Sequence, residues 1–355
     1  LKPTTLILLA FAIPVILQAQ TIPFADSLRK AYEIPELAYA VVSSTQVLKL
    51  QVLGTRKANE NLPARLDDRF RIGSNTKTIT GFLAALLVKE KKIAWNTAFF
   101  DLFPELKQKS HSDYHNLTLK NLLSFRTHLI PYTYTNERPA IGQFAGNDES
   151  QRYQFMAWVL QQKPHENKDS IVFCNPAYCA AGMMLEKASG KSYLELIQQL
   201  GDSLGVRFYV GAPNATDSSQ PWGHDSDLKP EPPAENQKLN WLLPAGNISM
   251  SLPDFATFIQ HQLLGLAGKS TLLTREEFYF LHFGLERFSI GWFQAEDENN
   301  QLFSWHLGNP GTFLSKVQVY PKMDRAMLIL TNVQSPLAQK GIDILMEKLK
   351  GQFVD

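Results

Sequence analysis

Ser74 and Lys77 stand three residues apart at the start of a strongly helical run, Ser74 to about Glu90. That spacing sets both side chains on one face of a helix. A serine hydroxyl becomes a nucleophile only beside a base, and a lysine ammonium held away from water gives up its proton more readily. The helix start adds backbone N–H groups and a positive dipole end, which favour a developing oxyanion. On its own, the tetrad Ser74-Asn75-Thr76-Lys77 equally describes a helix-capping serine and a solvated lysine. Other reactive types offer less. His111 and His115 lie four apart in a polar stretch (Gln108 to Asn116) that reads as a solvated loop. Cys174 and Cys179 are five apart around Asn175-Pro176, a turn into a helix, where Cβ directions diverge and disfavour a disulfide. No CxxC or histidine pair accompanies them, so neither a metal nor a cofactor is called for. No Gly-Xaa-Ser-Xaa-Gly occurs, which argues against a nucleophile elbow.

The elements that must position Ser74 come in three blocks. Short β-rich runs, Ala38 to Val42 and Val47 to Val52, flank Ser43-Ser44-Thr45-Gln46 and predict a hairpin. The middle is helical: Leu117 to Ser124, Gln151 to Gln162, Tyr178 to Ser189, Tyr193 to Leu200, Leu252 to Leu264 and Thr274 to Phe283. Strand patterns return at Phe288 to Gln294, Leu302 to His306, Phe313 to Tyr320 and Ala326 to Asn332, and a helix from about Leu337 to Leu349 closes the chain. Strands at both ends around a helical middle predict one sheet built from both termini, with an inserted helical lobe. The sheet lobe would take about residues 20–93 and 285–355, the helical lobe about 94–284. The Pro- and Asp-rich stretch Ala212 to Glu235 reads as a long surface loop.

Composition bounds the function. Of 355 residues, 44% are hydrophobic and 19% charged, which excludes a disordered, collagen-like or disulfide-dense chain. Lys plus Arg at 35 against Asp plus Glu at 34 leaves +1, too little to attract nucleic acid or an anionic membrane. Neither polyanion is an expected partner. Lys2, the apolar run Leu6 to Leu17 and then Gln18-Ala19-Gln20 describe a secretory signal over residues 1–19. The run is short of the roughly 20 residues that span a bilayer and contains Pro14. An exported chain, periplasmic or secreted, is the expectation, with no stable membrane span in residues 20–355.

Context sharpens the tetrad. Phe70-Arg71-Ile72-Gly73-Ser74-Asn75-Thr76-Lys77-Thr78-Ile79-Thr80 resembles the active-site segment of the class C β-lactamases and the related penicillin-binding serine peptidases and esterases. Asp101-Leu102-Phe103-Pro104-Glu105-Leu106 continues the likeness. Phe173-Cys174-Asn175 with the helix behind it resembles the family's Tyr-Xaa-Asn motif. Pro244-Ala245-Gly246-Asn247 resembles its glycine turn, and His306-Leu307-Gly308-Asn309 stands where the family has Lys-Thr-Gly or His-Xaa-Gly. The matches keep their order from about Leu37 to the last helix.

The resemblance implies an α/β fold of the β-lactamase/transpeptidase type: an antiparallel sheet from both chain ends, flanked by helices. It implies Ser74 as acylated nucleophile, Lys77 as its base, and Asn175 holding both Lys77 and the substrate amide. It also implies an oxyanion hole from the backbone N–H groups of Ser74 and Asn309, with His306 and Gly308 on the strand lining the cleft. Gly308 would let a substrate backbone approach closely, and a histidine at 306 can donate a hydrogen bond or carry charge near neutral pH.

Three departures bear on activity. Phe173 replaces the tyrosine whose hydroxyl shuttles a proton, and general acid–base catalysis is typically worth about 10²–10⁴ in rate. Tyr132, Tyr134 and Tyr178 are the candidate stand-ins. Phe125-Arg126-Thr127-His128 replaces the usual His-Thr-Ser-Gly, which should alter a loop bordering the cleft. His306 replaces the β-lactamase lysine, a weaker, pH-dependent anchor for a carboxylate. The reading is an exported serine hydrolase acting on a β-lactam, D-amino-acid peptide or ester. Its alternative is a non-catalytic or weakly active relative that binds a cell-wall peptide.

Overall fold

The computed structural model describes residues 21–166, 169–233 and 238–355; the expected signal, residues 1–19, lies outside them. Strands β1 (Glu36–Val42) and β2 (Val47–Gly54) form the expected hairpin. Ser43 fixes its turn, accepting at Oγ from the N–H groups of Thr45 and Gln46 at 3.3 and 3.0 Å. The last strands are β6 (Phe293–Glu296), β7 (Leu302–Gly308), β8 (Leu314–Tyr320) and β9 (Arg325–Thr331). All pair antiparallel in the order β2-β1-β9-β8-β7-β6, so β9 joins the two ends of the chain by pairing with β1.

β1 is an inner strand, buried throughout, which is why its sequence ELAYAVV is a nearly unbroken apolar run. Its side chains still alternate between two cores. Leu37, Tyr39 and Val41 pack with Ile329, Ile342 and Leu345 under the helices Thr21–Ala31 and Pro336–Phe353. Ala38, Ala40 and Val42 face the larger core, which contains Ile79 and Phe82 of the helix Thr76–Lys89 and Phe255 and Phe258 of the helix Leu252–Leu266. The small alanines let the helix Leu252–Leu266 approach the sheet. Periodicity did not single out the helix Thr21–Ala31.

A second sheet holds the approach to Ser74. Strands β3 (Arg69–Arg71), β4 (Tyr209–Val210) and β5 (Ile248–Ser251) pair in the order β3-β5-β4, and Ile72 N–H then donates to Ile248 O at 3.0 Å. The segment entering Ser74 is thereby tied to the turn that precedes β5.

Two expectations are corrected. Phe288 to Gln294 is not one strand: Ser289 N–H bonds Trp292 O, Ile290 N–H bonds Leu281 O of the helix Arg275–Phe283, and pairing begins only at Phe293. Those backbone groups close a local turn and bond a helix rather than a strand neighbour. The stretch from Ala212, described to residue 233, is not a mere surface loop. It carries buried Asn214, Gln220, His224 and Glu231, and His224 Nδ1 lies 2.7 Å from Asn332 O. Gln220, His224 and Glu231 find their hydrogen-bond partners inside the molecule, and polarity alone therefore misreads them.

At the start of β1, Glu36 and Asp68 are both fully buried and face each other. Burial, and then the Asp68 charge, hold the Glu36 carboxyl well above its ordinary range, and burial raises Asp68 as well, so the pair favours holding a proton. A carboxyl raised on folding contributes stability below its unfolded pKa, and that contribution is lost as pH rises toward the folded value. Glu36→Gln keeps a neutral hydrogen-bonding side chain. It is expected to raise Tm by about 2 °C or more at pH 8 and to leave it near wild type at pH 4. Equal shifts at both pH values would show that Glu36 is ionised in the fold.

Candidate active site

Ser74 does not begin the long helix. Gly73–Asn75 forms a 3-10 turn, and the α-helix starts at Thr76 with no side-chain cap. The Ser74 hydroxyl is therefore not spent on capping. From Phe70 to Ala85, Ser74 alone is not buried. One turn on, Lys77 is wholly enclosed, and its Nζ lies 2.9 Å from Ser74 Oγ, 2.9 Å from Asn175 Oδ1 and 2.7 Å from Ala245 O. The residues expected to act as nucleophile, base and amide thus meet at one nitrogen.

Charge decides what that nitrogen does. Burial pushes the Lys77 ammonium down to about 7. As an ammonium it donates to all three oxygens. As a neutral amine it donates to Asn175 Oδ1 and Ala245 O, and its lone pair accepts the Ser74 hydroxyl proton. Two fixed acceptors therefore aim the third position at Ser74. Asn175 opens the helix Asn175–Ser189, and its Nδ2 donates to Tyr132 O at 2.8 Å, which fixes the amide's orientation. Ala245 contributes a backbone oxygen, which no residue-type reading could single out. Its only sequence signal is the turn Pro244-Ala245-Gly246-Asn247.

The β7 residues sit differently from expectation. A Cβ on Gly308 would stand 1.9 Å from Ile72 O and 2.4 Å from Ser315 Oγ. The backbone that approaches Gly308 is the chain's own, and the contact presses the Ile72–Ser74 segment onto β7. His306 is fully buried, with Nδ1 3.0 Å from Leu307 O and Nε2 unpartnered among the described residues. Burial, with the nearby Lys77 charge, lowers its pKa to about 3. His306 is neutral at physiological pH and does not present a charge to the cleft. Asn309 is exposed and lines the same cavity as Ser74, its Oδ1 accepting from Gly311 N–H at 2.9 Å.

Phe173 is one of three phenylalanines around His306, with Phe293 and Phe288 nearer at 5.5 and 6.1 Å. Its ring, 44% exposed, packs on Phe125 at 4.5 Å and stacks on Phe293 at 6.0 Å, with His306 6.5 Å away. Its other neighbour is Lys77 Nζ, 5.1 Å from the ring centre. The ring thus belongs to an aromatic cluster at the cleft mouth rather than to a polar wall. None of the three tyrosines brings a hydroxyl to Ser74. Tyr178 donates to Leu123 O at 2.7 Å, the Tyr132 hydroxyl is buried without a partner among the described residues, and the Tyr134 hydroxyl lies against Gly311. Both cysteines are free and buried, and burial raises Cys174 to about 11, which keeps it an inert thiol. Among the described residues no group of three or more His, Cys, Asp or Glu is arranged to hold a metal, and no helix is long and apolar enough to cross a membrane. A second serine–histidine contact, Ser304 Oγ to His282 Nδ1 at 2.6 Å, is fully enclosed and has no route to a substrate.

The profile of the beta-lactamase family matches residues 24–348. The chain belongs to the beta-lactamase family. Its fold is shared with a class C beta-lactamase from Rhodobacter sphaeroides (TM-score 0.72, 16% identity, 92% of this chain and 100% of that one). It is shared too with a D-alanine carboxypeptidase AmpC from Burkholderia cenocepacia (0.70, 19%, 91% and 95%). An octameric penicillin-binding protein homologue from Pyrococcus abyssi gives 0.72 and 18%, over 92% and 76%. At these identities the likeness shows the fold alone. Protein flp of Staphylococcus aureus (strain COL) is 23% identical over 332 residues, 91% of this chain, and this chain spans 64% of its length.

Within this beta-lactamase-family chain, the loop that lacks the usual glycine keeps a glycine-like path. His128 (φ 54) and Phe125 (φ 60) both hold left-handed backbone, a conformation that glycine adopts without strain. The sequence change is absorbed as local strain, with His165 N–H bonding His128 O at 2.8 Å.

Proposed function

We propose that this chain is an exported serine hydrolase that cleaves an ester or amide through an acyl-enzyme on Ser74. One observation carries the reading: a partly exposed serine hydroxyl 2.9 Å from a fully buried lysine whose pKa lies at about 7. Neutral Lys77 takes the Ser74 proton as Oγ bonds to the substrate carbonyl carbon. The resulting oxyanion collapses, the bond to the leaving alkoxide or amine breaks, and that group takes a proton from the Lys77 ammonium. Water then attacks the acyl ester, giving its proton to Lys77; Oγ leaves and is reprotonated. The backbone N–H groups of Ser74 and Asn309 are the proposed oxyanion donors. Export is supported by Lys2 ahead of the apolar run Leu6 to Leu17.

The buried, neutral state of His306 favours esters or neutral amides over carboxylate-bearing β-lactams and D-amino-acid peptides, which need a cationic anchor. The test is to incubate the protein with p-nitrophenyl acetate and with a penicillin, and to map any adduct by mass. An adduct on the peptide carrying Ser74 supports the reading; an adduct only elsewhere overturns it.

Phe173 favours a second reading, a ligand-binding relative with little or no turnover. Phe173→Tyr tests it. The added hydroxyl extends from a ring already 44% exposed and beside Lys77, so the fold should accept it. If the missing proton donor limits the chemistry, Ser74 acylation should rise by about tenfold or more. An unchanged rate in an active protein would show that the hydroxyl is not what limits it.

A further inference from the structure

The cavity at Ser74 is small, about 50 Å³, and one wall of it is Tyr134. Leu239, Leu242 and Pro310 line it with Ser74 and Asn309, and among the described residues no lining side chain is charged. Tyr134 is held there from three sides. It sits in a tight turn in which Thr133 N–H donates to Asn136 Oδ1 at 2.7 Å and Asn136 N–H to Thr133 O at 3.1 Å. Lys238 Nζ, nearly buried, donates to Asn136 O and anchors the turn. The hydroxyl lies where a side chain at position 311 would begin: a Cβ on Gly311 (φ +105) would stand 1.6 Å from it. Gly311 therefore makes the socket into which the tyrosine fits. Beyond it lie Arg71 and Glu231, a buried ion pair at 3.4 Å, and both charges act on the Tyr134 hydroxyl.

We propose that Tyr134 is the size filter of the acyl pocket: seated on Gly311, it leaves room at Ser74 only for a small, uncharged acyl group. This rests on the acyl-enzyme reading above. A water needs roughly 10–15 Å³ of such space, so the cavity takes about four water-sized groups, the bulk of an acetyl or propionyl group. A longer chain must displace the ring from its socket. An ionised acyl chain would meet no charged side chain in the lining and would give up its hydration there, which disfavours it. The hydroxyl is turned to Gly311 and the Arg71–Glu231 pair, so Tyr134 acts here by bulk and not as the proton relay.

p-Nitrophenyl acetate and p-nitrophenyl octanoate share a leaving group and differ only in the acyl chain. Nitrophenolate release and Ser74 acyl-adduct mass would be followed for wild type, Tyr134→Ala and Tyr134→Phe, with Ser74→Ala as background. Wild type should favour acetate by about tenfold or more, the usual scale of discrimination by pocket size. Tyr134→Ala should remove or reverse that preference, and Tyr134→Phe, equal in bulk, should keep the wild-type ratio. Equal rates for both esters in wild type, or an unchanged preference in Tyr134→Ala, would overturn the filter while leaving the serine reading intact. A preference lost in Tyr134→Phe as well would also overturn it, since the hydroxyl and not the bulk would then be responsible. Adduct formation in none of the proteins would instead overturn the serine reading, and the filter with it.

Discussion

Ser74→Ala is expected to abolish covalent labelling by acyl donors, leaving only the background shared by surface nucleophiles. The expectation rests on exclusivity. Ser74 Oγ is the hydroxyl within 2.9 Å of the Lys77 amine, and it is the one position not fully buried in the run from Phe70 to Ala85. Thr76, Thr78 and Thr80, on the same helix, are buried, and the hydroxyls of Thr78 and Thr80 bond to backbone oxygens, Thr78 to Asn75 O at 2.7 Å and Thr80 to Pro244 O at 2.6 Å. Removing one oxygen from a half-buried serine should leave Tm within about a degree, because no backbone group depends on it. Intact-mass spectrometry of both proteins after identical exposure decides the matter. A stoichiometric adduct that persists in Ser74→Ala would remove Ser74 from the nucleophile's role.

Lys77→Met should slow Ser74 acylation by about 10²–10⁴, the usual worth of a positioned general base. Lys77→Arg should lose as much, because a guanidinium keeps its proton throughout the working range. That pair separates a base from a mere positive charge, since an electrostatic role would survive in the arginine variant. The pH profile gives a second readout. With Lys77 at about 7, the neutral fraction grows as pH rises, so the acylation rate should climb close to tenfold per unit below pH 7 and level off above it. An anchoring His306 cation would give the opposite slope, a fall through the usual histidine range. With His306 buried and lowered to about 3, no such limb is expected. A wild-type rate that falls between pH 6 and 8 would contradict both assignments, and a flat profile would show that Lys77 is not the titrating base. Lys77→Met should also cost stability, since Asn175 Oδ1 and Ala245 O each lose a buried donor at about 1–3 kcal/mol apiece.

The sequence by itself determined the parts whose causes are local or periodic. β1 and β2 followed from two apolar runs around a Ser- and Thr-rich turn, and most of the helices from spacing and caps. The helix Asn175–Ser189, with Pro176 in its first turn and Gly190 in left-handed backbone at its end, is legible from those two residues. The ordered motifs likewise placed Ser74, Lys77 and Asn175 together, because a fold that keeps motif order keeps their meeting point.

Only the tertiary structure decided what each of those groups is. Lys77 titrates near 7 because it is enclosed, and enclosure is supplied by Asn175 and Ala245, 98 and 168 residues away. His306 reads as a charged anchor by type, yet Phe173 and Phe293 cover it, and an imidazole without water stays neutral. Gly308 faces Ile72 O rather than a substrate. Tyr134, one of three tyrosines that sequence could not rank, becomes a wall of the Ser74 cavity because Gly311 leaves a socket for it. Residue type and spacing fix which atoms can react. Burial, charge and free volume arise from contacts distant in sequence, and they set whether those atoms are ionised, covered or open to a substrate.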